Sequence, residues 1–135
     1  MKIKYLLDFE NEPTLLICSD QNGLRALSNS FLKIAERSML DSIIANSSSI
    51  LVTARRVGMD QGLKLIAEKN GRREFSWSIT ASKWTEFHER VRILADSDKA
   101  AHQYLEVNED DAVIIVSSED YDRIFASSDE VSPGN

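Results

Sequence analysis

Five apolar positions, Leu24, Leu27, Phe31, Ile34 and Ala35, recur sixty residues later as Trp84, Phe87, Val91, Leu94 and Ala95. Each set follows the i, i+3, i+7 spacing of one buried helical stripe. The candidate caps share the offset: Asn22, or Asp20 beside it, precedes the first stripe and Ser82 the second. Any two amphipathic helices can be aligned on a 3.6-residue period, so the helices alone establish little. The strands that follow add weight. Ile43–Ile44 stands to Tyr104–Leu105 at about the same shift, and Leu51–Val52 to Val113–Ile114 at two residues more. The pattern reads as two βαββ halves. A unit this small cannot bury both its helix and its sheet, whereas two side by side can share one core. The expected fold is α+β: a two-layer sandwich in which a mainly antiparallel sheet of six to seven strands carries both main helices on one face.

The remaining pattern places the strands. Lys2 to Phe9 and Thr14 to Cys18 read as a hairpin closed by the polar turn at residues 10–13. Met39 to Asn46 is ambiguous between a last helical turn and a poor strand, and the β-branched run Ile50 to Val57 is a strand. Asn70–Gly71 is a strong hairpin signal, because both residues tolerate positive φ. A two-residue loop there sets Ile66 opposite Phe75, Lys64 opposite Trp77 and Glu68 opposite Arg73, with Phe75, Trp77 and Ile79 on one sheet face. His102 to Asn108 and Ala112 to Ser117 form the last hairpin, and Ser118 opens a short helical turn carrying Tyr121, Ile124 and Phe125. The expected organisation is one domain over residues 1–126 and a tail over 127–135.

At 135 residues the chain is one domain's worth, and no run approaches the ~20 apolar residues of a membrane span. No secretory signal is evident at its start. Cys18 is the only cysteine, which excludes an intramolecular disulfide and a zinc site built on paired cysteines. A cytoplasmic setting is expected, with no cofactor and no bound metal.

Charge is uneven. Between Glu106 and Glu130, nine acidic residues stand against Arg123 alone, a net of −8 in a chain whose total is −6. Such a stretch repels nucleic acid and anionic membrane and speeds encounter with a basic partner. It serves equally as a solvated edge that keeps the chain soluble. A smaller opposite group, Arg55, Arg56, Lys64, Lys69, Arg72 and Arg73, is followed at once by Phe75 and Trp77. Basic residues beside aromatics suit nucleic acid, but Glu68 against Arg73 and the acidic total make that partner an unexpected one.

Candidate chemistry is thin. Cys18 sits in the apolar run TLLIC, where a buried, inert thiol is expected. No serine lies in a GxSxG elbow, and GMDQG at residues 58–62 lacks the Lys-Ser/Thr of a phosphate loop. His88 falls at the margin of the second helical stripe, a boundary position. His102, Tyr104 and Glu106 alternate along one strand face, a trio that suits an interface strip and equally an ordinary half-exposed strand. The pattern points away from an enzyme.

The helix DQNGLRALSNSFLKIAE (Asp20 to Glu36) and the hairpin HQYLEVNEDDAVIIVSSEDY (His102 to Tyr121) resemble segments of short bacterial α+β immunity proteins of polymorphic toxin systems. The resemblance covers part of the chain, which departs from the shortest members in having two helix–hairpin halves. It implies a protein that binds and neutralises a toxin without catalysis, with His102 and Tyr104 as interface residues. Together with the charge, it makes the expected partner a basic toxin domain. The expected interface is His102, Tyr104, Glu106, Glu109, Asp110, Asp111, Glu119, Asp120 and Asp122. The alternative is a homodimerising structural or regulatory module that uses an uncovered sheet face.

Overall fold

A computed structural model describes residues 1–9, 12–36, 42–106 and 112–118. The first half runs β1 (Lys2–Phe9), β2 (Glu12–Cys18), α1 (Gln21–Glu36), β3 (Ser42–Asn46) and β4 (Ile50–Arg56). The second runs β5 (Gly62–Lys69), β6 (Arg72–Ile79), α2 (Ala81–Asp96), β7 (His102–Tyr104) and β8 (Val113–Ser117). Each half is thus hairpin, helix, hairpin, one strand more than the βαββ reading. The class is α+β as expected, but the single sheet is not found. Two four-stranded mixed sheets form instead, β1-β2-β8-β7 (sheet A) and β3-β4-β6-β5 (sheet B).

The reason is an exchange of hairpins. The first hairpin of each half pairs, in parallel, with the last hairpin of the other: β2 with β8 and β4 with β6. The registers repeat with the helices. Lys2 faces Cys18 and Lys4 faces Leu16 in sheet A, and Gly62 faces Ser78 and Lys64 faces Ser76 in sheet B. Across the parallel ladders Thr14 meets Val113 where Glu74 meets Leu51, which reproduces both the sixty-residue offset and the further two. The chain therefore has an internal pseudo-dyad.

Local chemistry explains the elements. Asn70 (φ 54) and Gly71 (φ 78) make the two-residue turn with both residues at positive φ. Lys69 then pairs with Arg72 and Glu68 with Arg73, as the sequence requires, but the register shifts between Leu65 and Ala67. Leu65 rather than Ile66 faces Phe75, and Leu63 rather than Lys64 faces Trp77. Without that bulge a lysine would point into the core. The first hairpin is also irregular, between Leu6 and Phe9, opposite Pro13. A bulge is where a strand tolerates a residue with no N–H to donate.

The first helix is capped by Asp20, one of its two candidates, and the second by Thr80, two residues before Ser82. Gly23 N donates to Asp20 Oδ1 at 2.8 Å, and Lys83 N donates to Thr80 Oγ1 at 3.3 Å. Asp20 and Thr80 again differ by sixty. A Cβ at Gly23 would collide with Ser19 Oγ, so any larger residue in this first turn requires that hydroxyl to swing aside.

The two helices pack on each other, and one face of each sheet closes over them in a shared core. All ten stripe residues are buried. The dyad is broken by size. On the sheet B side stand Phe75, Trp77, Trp84 and Phe87, where their images are Leu15, Ile17, Leu24 and Leu27. Phe31 closes the aromatic group, its ring 5.4 Å from Trp77 and 5.2 Å from Trp84. Trp84 Nε1 donates to the carbonyl of Arg55 at 2.9 Å, which anchors α2 to β4.

The helices cross at Ser28 and His88, which are also sixty residues apart. Ser28 Oγ donates to the His88 carbonyl at 2.9 Å, and His88 Nδ1 lies 2.8 Å from both the Ser28 carbonyl and Ser28 Oγ. A carbonyl only accepts, so Nδ1 carries the proton. His88 is buried at this crossing and is not the boundary residue its place in the stripe suggested.

Two substitutions separate these contributions. Phe31→Ala removes the ring shared by both tryptophans and should cost about 3–5 kcal/mol. Ser28→Ala should cost only about 1 kcal/mol, because His88 Nδ1 keeps the Ser28 carbonyl. Urea unfolding followed by tryptophan fluorescence checks both.

Candidate functional site

The residues singled out for binding converge in part. His102 and Tyr104 lie on β7, at an open edge of sheet A, opposite Ser117 and Ile115. Both side chains are on the outer face of the sheet, away from the helices. Their rings meet edge-to-face at 5.5 Å. Tyr104 is 40% exposed, and its carbonyl accepts from Arg90 Nη1 at 2.8 Å, which ties the strand to α2. Leu105 turns into the core and its N–H donates to the Ile114 carbonyl at 2.8 Å. Glu106 is exposed two residues beyond the strand, which ends at Tyr104 and does not run to Asn108. Glu109, Asp110, Asp111, Glu119, Asp120 and Asp122 lie outside the described residues, as does the helical turn expected after Ser118.

The outer face beneath this edge is apolar. Leu6, Leu16, Cys18, Val113 and Ile115 form a second cluster, separate from the main core, with Phe9 against it. Cys18 is buried there, as its run of neighbours implied.

The basic group has structural work in the fold. Arg56 Nη1 donates to the Ala35 carbonyl at 2.9 Å, where the last turn of α1 leaves carbonyls without helical partners. Arg72 Nη2 donates to Asn46 Oδ1 at 2.6 Å, across to the β3 end. Arg73 Nε is 3.1 Å from Glu68 Oε1, the cross-strand pair the hairpin register dictates. Its guanidinium also lies over the Tyr5 ring at 5.3 Å, and that ring touches Phe75 at 4.9 Å where the two sheets meet.

A polar cleft of about 570 Å³ separates the start of α1 from the segment after α2, with Asp20, Gln21, Ser97, Lys99 and Ser118 on its walls. Gln21 Nε2 donates to the Ser97 carbonyl at 2.7 Å across it. Its hydroxyls bond to backbone: Ser97 Oγ to the Lys99 carbonyl and Ser118 Oγ to that of Ala101. Neither is paired with a histidine. Among the described residues, no three of His, Cys, Asp or Glu gather in a way that could hold a metal ion, and no helix is long and apolar enough to cross a membrane.

What sequence reasoning missed was the Ser28–His88 pair, which the sixty-residue offset could have found, and the continuity of His102 and Tyr104 with an apolar sheet face. The latter needs the parallel pairing of β2 with β8, which no local pattern announces.

Burial at the sheet seam pushes the Tyr5 phenol above its ordinary value, with the Arg73 charge opposing. A raised pKa favours the protonated form in the folded state, so its contribution is complete below pH ~10 and is lost as pH rises through the folded value. The melting temperature should therefore fall more steeply above pH ~10 in the native chain than in Tyr5→Phe, as read by calorimetry.

Comparison with protein-family models, with curated proteins and with solved structures finds no match to this chain.

Proposed function

We propose that this chain is a non-catalytic protein-binding module, an immunity-type inhibitor that neutralises a bacterial toxin domain by covering a basic surface on it. The observation that carries the reading is the edge of sheet A. His102 and Tyr104 stand exposed there in mutual contact, on a strand pinned by Arg90. Tyrosine supplies a large contact area at low entropic cost, and a short, fixed strand presents it without reorganisation. The sequence that follows, Glu106 to Asp111, brings four carboxylates next in the chain. Charge of that sign steers a basic partner to the edge, and Tyr104 then holds it. The resemblance of the first helix and last hairpin to immunity proteins supports the same partner class.

The first test is whether a secreted protein with a variable C-terminal domain is encoded beside this gene, and whether that domain binds this chain. Tyr104→Ala should weaken the complex at least ~10-fold, mainly through faster dissociation. Joint replacement of Glu109, Asp110 and Asp111 by their amides should slow association and flatten its salt dependence. Binding unchanged in both variants, or turnover of a substrate by the purified chain, would refute the proposal.

A second reading, the homodimerising structural or regulatory module, is favoured by one observation. Ile43 and Ile66, on the two edge strands of sheet B, are both exposed. Exposed apolar residues on open edges invite pairing with another sheet. Light scattering should then give a dimer that Ile43→Lys with Ile66→Lys returns to a monomer.

A further inference from the structure

Sheets A and B are images of each other, yet their outer faces differ. Where sheet B carries Glu74, Ser76, Ser78, Thr53 and Arg55, the equivalent positions of sheet A carry Thr14, Leu16, Cys18, Ile115 and Ser117. The polar face suits water. The apolar one is nevertheless shielded from it: Leu16 is 0%, Ile115 4% and Cys18 5% exposed. Among the described residues, Phe9, from the same sheet, is the one partly buried hydrophobic packed against this cluster. An open sheet face cannot bury a central leucine completely, so a covering segment is required. Lys2, Lys4, Cys18, His102 and Ser117 share that face, and none of them is without an interaction partner.

We infer that residues 119–135 of this same chain cover the apolar cluster on the outer face of sheet A, over β1, β2 and β8, and leave the β7 edge with the 40% exposed Tyr104 open. The segment leaves from the end of β8, at the middle of that sheet. It offers Tyr121, Ile124 and Phe125 at the i, i+3, i+4 spacing of one apolar face. Its charge is complementary as well. Glu119, Asp120, Asp122, Asp129 and Glu130 outnumber Arg123, while Lys2 and Lys4 line the β1 side of the face, opposite Cys18 and Leu16. Seventeen residues reach much further than the ~14 Å across four strands. The other segments outside the described residues are poorer occupants. Residues 10–11 are too short, 37–41 join α1 to sheet B, and 107–111 carry a single apolar side chain. The acidity after Ser118 is then directed inward, onto Lys2 and Lys4, and the charge left for a partner is that of Glu106 to Asp111. Covering the face does not depend on the proposed toxin partner.

Cys18 is a reporter already in place, being the only cysteine and lying directly opposite Lys2. Its modification by a thiol reagent is followed in the full chain without any partner, so the outcome is independent of partner binding. Tyr121→Ala, Ile124→Ala and Phe125→Ala together should speed it at least ~10-fold, with the near-ultraviolet signal of Trp77 and Trp84 retained. Lys2→Glu with Lys4→Glu, which leaves the core untouched, should speed it several-fold at low salt. Raising ionic strength from ~0.05 to ~0.5 M should accelerate the native chain but not that variant. Native rates in both variants would overturn the inference. So would a rate that rises on dilution, which would make a second copy the cover. Should the triple variant lose its tryptophan signal, the lysine variant decides alone.

Discussion

Two parallel ladders, β2 with β8 and β4 with β6, hold each half of this chain to the other, and nearly every other feature follows from them. They place the first hairpin of one half beside the last hairpin of the other, so neither sheet belongs to a single half. The helices then lie together at the middle, in one core with the inner faces of both sheets. At the crossing Ser28 and His88 are buried, and their polar atoms need partners. Ser28 and His88 meet this need by bonding to each other's backbone. A buried polar pair is tolerable when every atom is satisfied.

Symmetry of architecture coexists with asymmetry of content. One side of the core is built from aromatic rings and the other from leucine and isoleucine at the equivalent positions. The outer faces diverge too, one polar and one apolar. A duplicated framework thus supports two unlike surfaces, and the His102–Tyr104 edge belongs to the apolar one. Function on such a framework resides where the copies differ, since the shared positions are committed to packing.

Much of this was legible in the residues. The two stripes, the Asn70–Gly71 turn and the Glu68–Arg73 pair each rest on short-range periodicity or turn chemistry, and the structure has them all. The sequence offers Asn22 and Asp20 alike for the first cap, and for the second it points to Ser82 where Thr80 is used; such residues are equally competent, and only tertiary position chooses. The facing of Lys64 and Ile66 was inverted by one bulge, to which alternation is blind. The sheet count failed for a deeper reason: a strand's pattern specifies which face is buried, never which strand lies alongside. Of the nine expected binding residues, His102, Tyr104 and Glu106 fall within the described part, and the first two share a face because β7 alternates as expected.

The exchanged hairpins also bear on how the molecule comes into being. Thr14 pairs with Val113, so a ladder near the start of the chain waits for residues close to its end. During synthesis β1 and β2 emerge long before β8 exists, leaving Leu15, Leu16 and Ile17 on a strand with one side unsatisfied. Contacts of such long sequence separation slow folding, and an unpaired apolar strand is an invitation to aggregate. Rapid translation of the second half, or a chaperone on the nascent first hairpin, would shorten that vulnerable interval.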